Sequence, residues 1–199
     1  MTDRHLILAS GSPRRRQLLE LIGVDFMVEP ADVDETPLPG EDPVGYASRA
    51  ARDKASEVAA RSPGRLVLGA DTVVEVDREI LGKPPSAGGA ARMLQRLSGR
   101  SHLVHTALAL VTDSRAHEVV DTARVQFVNL TDEMIRWYVA TCEPMDKAGA
   151  YAVQGVGGLL VAHVEGSPHT VIGLPVHRLP ELFAAHGQDF WSLIKTRSS

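Results

Sequence analysis

The segment from residue 6 to residue 22 most strongly limits the folds open to this chain. An apolar run of strand length, Leu6-Ile7-Leu8-Ala9, is followed by the small polar turn Ser10-Gly11-Ser12. Ser12 is a good N-cap, and Pro13 suits the first position of a helix because its missing N–H is not needed there. Apolar residues then recur at helical spacing: Leu18, Leu19 and Ile22. The pattern predicts a strand that passes directly into a helix.

The turn between this strand and helix is a candidate anion site. Free backbone N–H groups and the positive end of the helix dipole meet there. Arg14, Arg15 and Arg16 lie in the first helical turn, where each positive charge is unfavourable by roughly a few tenths of a kcal/mol. The guanidinium groups either clamp a phosphate together with the backbone donors or form a solvated basic face. From this segment alone the two interpretations are equally supported.

Length and composition narrow the classes of protein. The 199 residues are 44% hydrophobic, which suits one α/β domain or two packed lobes, and we expect a single domain over 1–199. A net charge of −4 disfavours a dedicated nucleic-acid binder. The single cysteine, Cys142, excludes an internal disulfide and fits a reducing compartment. Because no apolar run has signal-peptide or membrane-spanning length, we expect a cytoplasmic protein.

Acidic and basic residues of the first half supply candidates for chemistry. Asp32, Asp34 and Glu35 lie close together and could hold Mg²⁺ or Mn²⁺ with phosphate oxygens and water. A solvated acidic loop is the alternative, and on this cluster alone it is the favoured one. A helix is predicted from residue 42 to about residue 60. Lys54 shares its small apolar face and either extends along the surface to water or points into a cleft.

Asp71 lies within a strand-like apolar stretch. The run Leu66-Val67-Leu68-Gly69-Ala70 precedes Asp71-Thr72, and strand character resumes at residues 73–77. A carboxylate in such a position has to be paired, metal-bound or protonated, because an unpaired buried charge is costly. Asp71 is therefore a functional candidate, with a structural ion pair as the alternative. Farther along, Lys83 precedes Pro84 and is predicted to lie in an extended loop.

The second half contains one more dense stretch, at residues 143–158. Three glycines, Gly155, Gly157 and Gly158, closely follow Gln154 there. They predict close approach of the backbone to a ligand, with the Gln154 amide able to read a base edge. No strand-to-helix G-x-G-x-x-G context is present. Residues 159–164 are predicted to form a strand. The histidines of the predicted hairpin at residues 102–128 have no metal-ligand spacing, and we interpret them as strand-surface or core residues.

Several motifs, in this order along the chain, resemble the Maf family of bacterial and eukaryotic nucleotide pyrophosphatases. The resemblance covers roughly residues 6–180, and the ordered set is far more specific than any one motif. It is carried by Leu8-Ala9-Ser10-Gly11-Ser12-Pro13-Arg14-Arg15, Asp34-Glu35, Lys54-Ala55, Leu68-Gly69-Ala70-Asp71-Thr72-Val73-Val74, Gly82-Lys83-Pro84, His102 with Val104 and Thr106, Asp146-Lys147-Ala148-Gly149 with Gln154-Gly155, and Val171-Ile172-Gly173-Leu174-Pro175.

The resemblance implies a fold and a reaction. The expected fold is α/β, with a mixed twisted sheet and flanking helices forming a two-lobed cleft, like that of inosine triphosphate pyrophosphatase. The expected reaction is hydrolysis of a nucleoside triphosphate to the monophosphate and pyrophosphate, aided by Mg²⁺ or Mn²⁺. The family also implies a possible homodimer, and its name is linked to septum formation.

The resemblance also assigns site residues. Arg14, Thr72 and Gln154 are typical of the branch that acts on dTTP and UTP, and Tyr151 fits the same branch. A second branch, which acts on 7-methyl-GTP, is the alternative. The expected substrate-binding residues are Ser10, Arg14, Arg15, Lys54, Thr72, Lys83 and Gln154, and the expected metal ligands are Glu35 and Asp71.

Two questions remain open at the level of sequence. Asp71 is either the general base that activates water for attack at the α-phosphorus or only a metal ligand. The chain is either an enzyme or a sensor that binds the nucleotide without hydrolysing it, and the carboxylate of Asp71 beside phosphates favours the enzyme. Binding of nucleic acid through the arginine-rich helix is disfavoured by the net charge and by an aromatic content of only 5%.

Overall fold

The computed structural model describes residues 6–194, which form an α/β fold with a seven-stranded mixed sheet. The strands are β1 (Leu6–Leu8), β2 (Phe26–Val28), β3 (Leu66–Val76), β4 (Glu79–Leu81), β5 (Ser101–Thr112), β6 (Arg115–Phe127) and β7 (Val161–Glu165). The helices are α1 (Pro13–Leu21), α2 (Pro43–Arg61), α3 (Ala87–Leu97), α4 (Asp132–Ala140), α5 (Pro168–Ile172) and α6 (Leu179–Ala185). Within the described residues, no helix combines the length and apolarity needed to cross a bilayer.

The sheet has the strand order β2-β1-β3-β5-β6-β7, and β4 pairs with β3 outside this path. Strand β1 is parallel to both of its neighbours, with Leu6 opposite Phe26 on one side and Leu66 on the other. The pairs β3–β4 and β6–β7 are antiparallel. The mixed sheet with helices confirms the α/β class expected from the sequence.

The chain divides into two compact units. Among the described residues, the first unit comprises residues 6–71, 106–121 and 173–194, and the second comprises residues 72–105 and 122–172.

In the first unit, a face of small residues on α2 packs closely against β3. Gly69 makes this approach possible, since a Cβ added there would lie 2.2 Å from the carbonyl oxygen of Ala51 and 2.9 Å from the Cβ of Ala55. Both of these alanines are completely buried. Lys54 lies beside them on α2, so the close packing brings its side chain to β3 as well.

The second unit has its own apolar core. It is built on β3, β5 and β6 together with α3 and α4, and its buried residues include Val76, Leu94, Phe127, Ile135 and Tyr138. Phe127 and Tyr151 meet edge to face, with ring centroids 4.8 Å apart. His102 is one of the hairpin histidines interpreted as strand-surface or core residues, and it is buried beside this core. Its Nε2 lies 2.7 Å from the Tyr151 hydroxyl, and burial lowers the pKa of His102 to about 4.

Local details agree with the sequence in part. Helix α1 begins at Pro13 with Ser12 as N-cap, as predicted, although the Ser12 side chain makes no capping hydrogen bond. Residues 66–76 form one continuous strand rather than two pieces. The strand predicted over residues 159–164 was partly wrong, because residues 156–160 form a 3₁₀ helix and β7 begins at Val161.

Candidate active site

In the first unit, the carboxylates of Glu35 and Asp71 both contact the ammonium group of Lys54. Its Nζ lies 2.6 Å from Asp71 Oδ1 and 2.8 Å from Glu35 Oε1. The Lys54 and Asp71 side chains are only 10% and 9% exposed, whereas Glu35 is 43% exposed. The structure thus decides against the extension of Lys54 to water, and it shows that Asp71 and Glu35 converge on one point.

The position of Asp71 follows from the pairing of β3. Parallel pairing with β1 extends to Leu68, and the Ala9 N–H donates to the Leu68 carbonyl at 2.8 Å. Asp71 comes shortly after this point, beyond the carboxyl end of β1, where the turn at Ser10 begins. In open α/β sheets ligands bind outside the carboxyl ends of parallel strands, so this edge is where a ligand is expected.

Tyr46 holds the segment that carries Glu35. Its hydroxyl donates to the Glu35 carbonyl oxygen at 2.6 Å, and the side chain is buried in the first turn of α2. Burial raises the pKa of Tyr46 to about 12, and the negative charges of Asp71 and Glu35 act in the same direction. The hydroxyl therefore stays protonated and able to donate.

Arg49 fastens the same loop one turn later on α2. Its guanidinium forms a bidentate pair with Glu41, at 2.7 and 2.8 Å, and donates to the Thr36 carbonyl at 3.1 Å. Bidentate pairing adds geometric specificity to the charge interaction. Tyr46 and Arg49 were both missed at the sequence level, because their partners lie on a loop whose path was not predictable.

The Arg15 guanidinium donates hydrogen bonds to other groups of the protein from both Nε and Nη1. Nε donates to the Gly173 carbonyl at 2.9 Å, and Nη1 donates to the Ala70 carbonyl at 2.9 Å and to Ser10 Oγ at 3.0 Å. Burial lowers the pKa of Arg15 below its ordinary value, although the charge of Asp71 opposes the shift. An arginine keeps its charge in proteins, so Arg15 brings a fixed cation beside Ser10 and the residue before Asp71.

We expect Arg15→Lys to destabilise the fold and also to lower the activity that the resemblance implies. A lysine cannot reproduce the planar fork, so the carbonyls of Ala70 and Gly173 lose donors, at a cost of about 1–3 kcal/mol. The Tm measured by thermal unfolding should fall. The value of kcat/KM should also fall, by about tenfold, because Asp71 is displaced.

The matched control for this change is Arg16→Lys. Arg16 is exposed and pairs with Glu20 four residues later, so its replacement should alter stability by less than about 0.5 kcal/mol. A rise in KM for Arg15→Lys with unchanged unfolding would contradict the positioning role and favour a purely phosphate-binding arginine.

The two converging carboxylates also fit a hard divalent cation. Among residues 6–194 no group of three or more His, Cys, Asp or Glu side chains is arranged to hold a metal ion. Glu35 and Asp71 alone would supply two carboxylate ligands. Phosphate oxygens and water would complete the coordination shell, which is the usual arrangement for Mg²⁺. These carboxylates are the type of ligand that suits the Mg²⁺ or Mn²⁺ expected from the resemblance. In this structure the Lys54 ammonium lies against both of them.

The remaining predicted residues are distributed over both units. Arg14 lies partly exposed in the first turn of α1, within the first unit. Thr72, Lys83 and Gln154 belong to the second unit, where Lys83 and Gln154 are exposed. The loop before Lys83 contacts the 148–150 segment, since the Gly149 N–H donates to the Gly82 carbonyl at 3.1 Å. Lys83 lies outside helices and strands, as predicted.

Comparison with known proteins agrees with this picture. A family model described as "Maf-like protein" matches residues 5–186. The chain is 46% identical over 189 residues to a dTTP/UTP pyrophosphatase of Symbiobacterium thermophilum, with 95% of this chain and 97% of that protein covered. It is 53% identical over 171 residues to a dTTP/UTP pyrophosphatase of Myxococcus xanthus, with 86% and 87% covered. The ordered motifs, the α/β sheet and these matches lead to one conclusion: the chain belongs to the Maf-like protein family.

Proposed function

We propose that this chain hydrolyses dTTP and UTP to the nucleoside monophosphate and pyrophosphate in the cytoplasm, either as house-cleaning or as control of the nucleotide pool. The observation that carries the proposal is the convergence of Lys54, Glu35 and Asp71 at the carboxyl end of β1. The names of relatives that are 46–53% identical over most of the chain support the same reaction.

The reaction breaks the bond between the α-phosphorus and the bridging oxygen to the β-phosphate. Water forms the new bond to the α-phosphorus and loses its proton, and the electron pair of the broken bond leaves with pyrophosphate. Such transfers depend mainly on positioning and on charge stabilisation. The enzyme therefore needs a proton acceptor near the water and cations around the phosphate oxygens.

We assign these tasks to the residues of the first unit. Asp71 accepts the proton of water, with Oδ1 held by the Lys54 ammonium. The Ser10 hydroxyl, the turn amides and Arg14 bind phosphate oxygens, and Arg15 adds its charge beside Ser10. Glu35 and Asp71 would hold Mg²⁺ or Mn²⁺, which would neutralise phosphate charge and lower the pKa of water. In the alternative assignment Asp71 acts only as a metal ligand.

The second unit supplies the remaining assignments. Lys83 is proposed to bind phosphate oxygens, and Gln154, together with Thr72, is proposed to read the pyrimidine. A primary amide offers both a donor and an acceptor, which matches the neighbouring N–H and carbonyl groups of thymine and uracil.

The test is release of pyrophosphate from dTTP, UTP, CTP, GTP and 7-methyl-GTP, each with Mg²⁺ or Mn²⁺. Fastest release from dTTP and UTP supports the proposal. Preference for 7-methyl-GTP would leave the reaction standing and overturn the assigned base. Nucleotide binding without any release of pyrophosphate would instead identify a sensor.

We expect Gln154→Glu to weaken selection of pyrimidine nucleotides. The change replaces the two N–H donors with an anionic acceptor, so kcat/KM should fall by about tenfold or more for dTTP and by less for GTP. Gln95→Glu, at an exposed position on α3, is the charge-matched control and should leave the ratio unchanged. Equal losses for dTTP and GTP would count against base reading by Gln154.

A further inference from the structure

The loop that carries Gln154 is fastened on both sides by one polar network. On the C-terminal side, the Val156 and Gly157 N–H groups donate to the Glu143 carboxylate at 3.2 and 2.9 Å. On the N-terminal side, the Ala152 N–H donates to the Tyr138 hydroxyl at 3.1 Å. Both anchor points lie within three residues of Gln154, whose side chain is exposed between them.

The two anchoring side chains are also bonded to each other. The Tyr138 hydroxyl donates to Glu143 Oε1 at 2.9 Å, and Tyr138 is fully buried in the core of the second unit. Burial raises the pKa of Tyr138, and its bond to Glu143 adds to the shift, so the hydroxyl remains a donor. Glu143 therefore accepts three hydrogen bonds, which suits a carboxylate because it only accepts.

The glycines of this loop admit the network. A Cβ at Gly155 would lie 2.6 Å from Glu143 Oε2, and one at Gly157 would lie 2.4 Å from the Tyr138 hydroxyl oxygen. Gly155 also has φ +86° and ψ −155°, a region essentially limited to glycine. We predicted from the sequence that these glycines admit a ligand, but here they admit Glu143 and Tyr138.

A segment so rich in glycine has many accessible conformations when it is not held. A residue that reads a base has to be held near its productive geometry before the ligand arrives, because ordering it on binding reduces affinity and selectivity. The network supplies this order from two anchors outside the loop: Tyr138 in the last turn of α4, and Glu143 at the start of the 3₁₀ helix Glu143–Asp146 that follows α4. Its effect should therefore be on selection of the base rather than on the chemical step.

We propose that Glu143, supported by Tyr138, is a positioning residue that sets nucleobase selectivity by holding the Gln154 loop in its binding conformation. This inference rests on the proposed function in one respect only, the role of Gln154 in base recognition.

The experiment compares Glu143→Gln with wild type in kcat/KM for dTTP and GTP. The variant keeps the size of the side chain but presents an NH₂ group where Val156 or Gly157 needs an acceptor. We expect the dTTP-to-GTP ratio to fall about tenfold, mainly through a higher KM for dTTP, with kcat changed by less than about threefold. Hydrogen exchange of the Val156 and Gly157 amides should accelerate in parallel.

A double-mutant cycle separates positioning from a merely structural role. In a Gln154→Ala background, Glu143→Gln should lower the ratio no further, because the side chain through which it acts is gone. The proposal would be overturned if Glu143→Gln alone lowered kcat/KM equally for dTTP and GTP. It would also be overturned if Glu143→Gln lowered the dTTP-to-GTP ratio by the same factor in the wild-type and Gln154→Ala backgrounds. Glu133→Gln, exposed on the first turn of α4, is the control and should keep the wild-type ratio.

Two further measurements keep the test decisive. If Glu143→Gln does not fold, Tyr138→Phe removes the same support from the other side and should lower the ratio in the same direction. Binding of dTMP and GMP, which contain no anhydride bond, is measured separately from turnover. Absence of hydrolysis with a Glu143-dependent dTMP-to-GMP ratio would refute the proposed function alone, whereas a ratio unaffected by Glu143→Gln would refute the inference.

Discussion

Asp71→Asn is expected to reduce release of pyrophosphate from dTTP by about a thousandfold at saturating substrate and metal. The amide cannot accept a proton from water and is a poor ligand for a hard divalent cation, so the change removes both roles assigned to this residue. The shape of the side chain is preserved, and its oxygen can still accept from Lys54, so the fold should be retained. Binding of dTTP should also persist, because one negative charge near the phosphates is lost.

The matched control is Asp77→Asn, just beyond the end of the same strand. Asp77 directly follows β3, is exposed, and has φ 55°, a conformation that asparagine adopts readily. The kcat of this variant should stay within about twofold of wild type, since Asp77 forms only exposed ion pairs with Arg96 and Arg100 and such pairs contribute little. Turnover by Asp71→Asn at more than about a tenth of the wild-type rate would be incompatible with either assigned role.

Lys54→Met is expected to lower both stability and activity. Without the ammonium, Asp71 and Glu35 face the same point with no cation between them, and the Asp71 side chain is only 9% exposed. Loss of one partner of a buried pair costs about 3–5 kcal/mol. Because Glu35 is 43% exposed and thus screened by water, we expect about 2–3 kcal/mol, a fall in Tm of about 4–12 °C.

Added Mg²⁺ or Mn²⁺ should raise the Tm of Lys54→Met more than that of wild type, because a divalent cation can replace the missing charge between the carboxylates. Activity should remain reduced by about a hundredfold even with metal present, since the cation that holds Asp71 is absent. Differential scanning calorimetry with and without metal measures the first effect, and steady-state kinetics measures the second.

Arg52→Met tests whether these effects are specific to Lys54. Arg52 lies on the same helix, with its side chain 47% exposed and paired with Glu118 at 3.2 Å. Its removal should cost less than about 1 kcal/mol and leave the response to metal unchanged. A Lys54→Met protein as stable as wild type, with the same response to metal, would contradict the electrostatic role of Lys54.

Prediction from sequence succeeded where the determining interactions are local. The strand–turn–helix of residues 6–21 follows from an apolar run, a capping residue and Pro13, all close together in the chain. The helix over residues 43–61 follows from its small apolar face and from Asp42, which accepts hydrogen bonds from the Val44 and Gly45 N–H groups at its N-terminus. The short helix α5 was not predicted, since five residues are too few to establish a period.

The candidate site could be predicted as a set of residues but not as an arrangement. Asp71 was identified because a carboxylate in an apolar strand requires a partner, and that requirement is visible in the sequence. Which partner it finds depends on how closely α2 approaches β3, and Gly69 decides that through contacts with residues 51 and 55. Whether Lys54 extends to water or points into a cleft therefore depends on tertiary packing, which the sequence does not reveal.

By itself, the sequence determined the α/β class and the family, and it supplied the residues proposed for the site. Those follow from periodicity, from capping and from an ordered set of motifs. The tertiary structure alone decided that Arg15 donates to Gly173, 158 residues away in the chain, that Tyr46 holds the Glu35 segment, and that Glu143 fastens the Gln154 loop. Hydrogen bonds between distant segments depend on the path of the backbone, and that path is set by packing of the whole chain rather than by any local pattern.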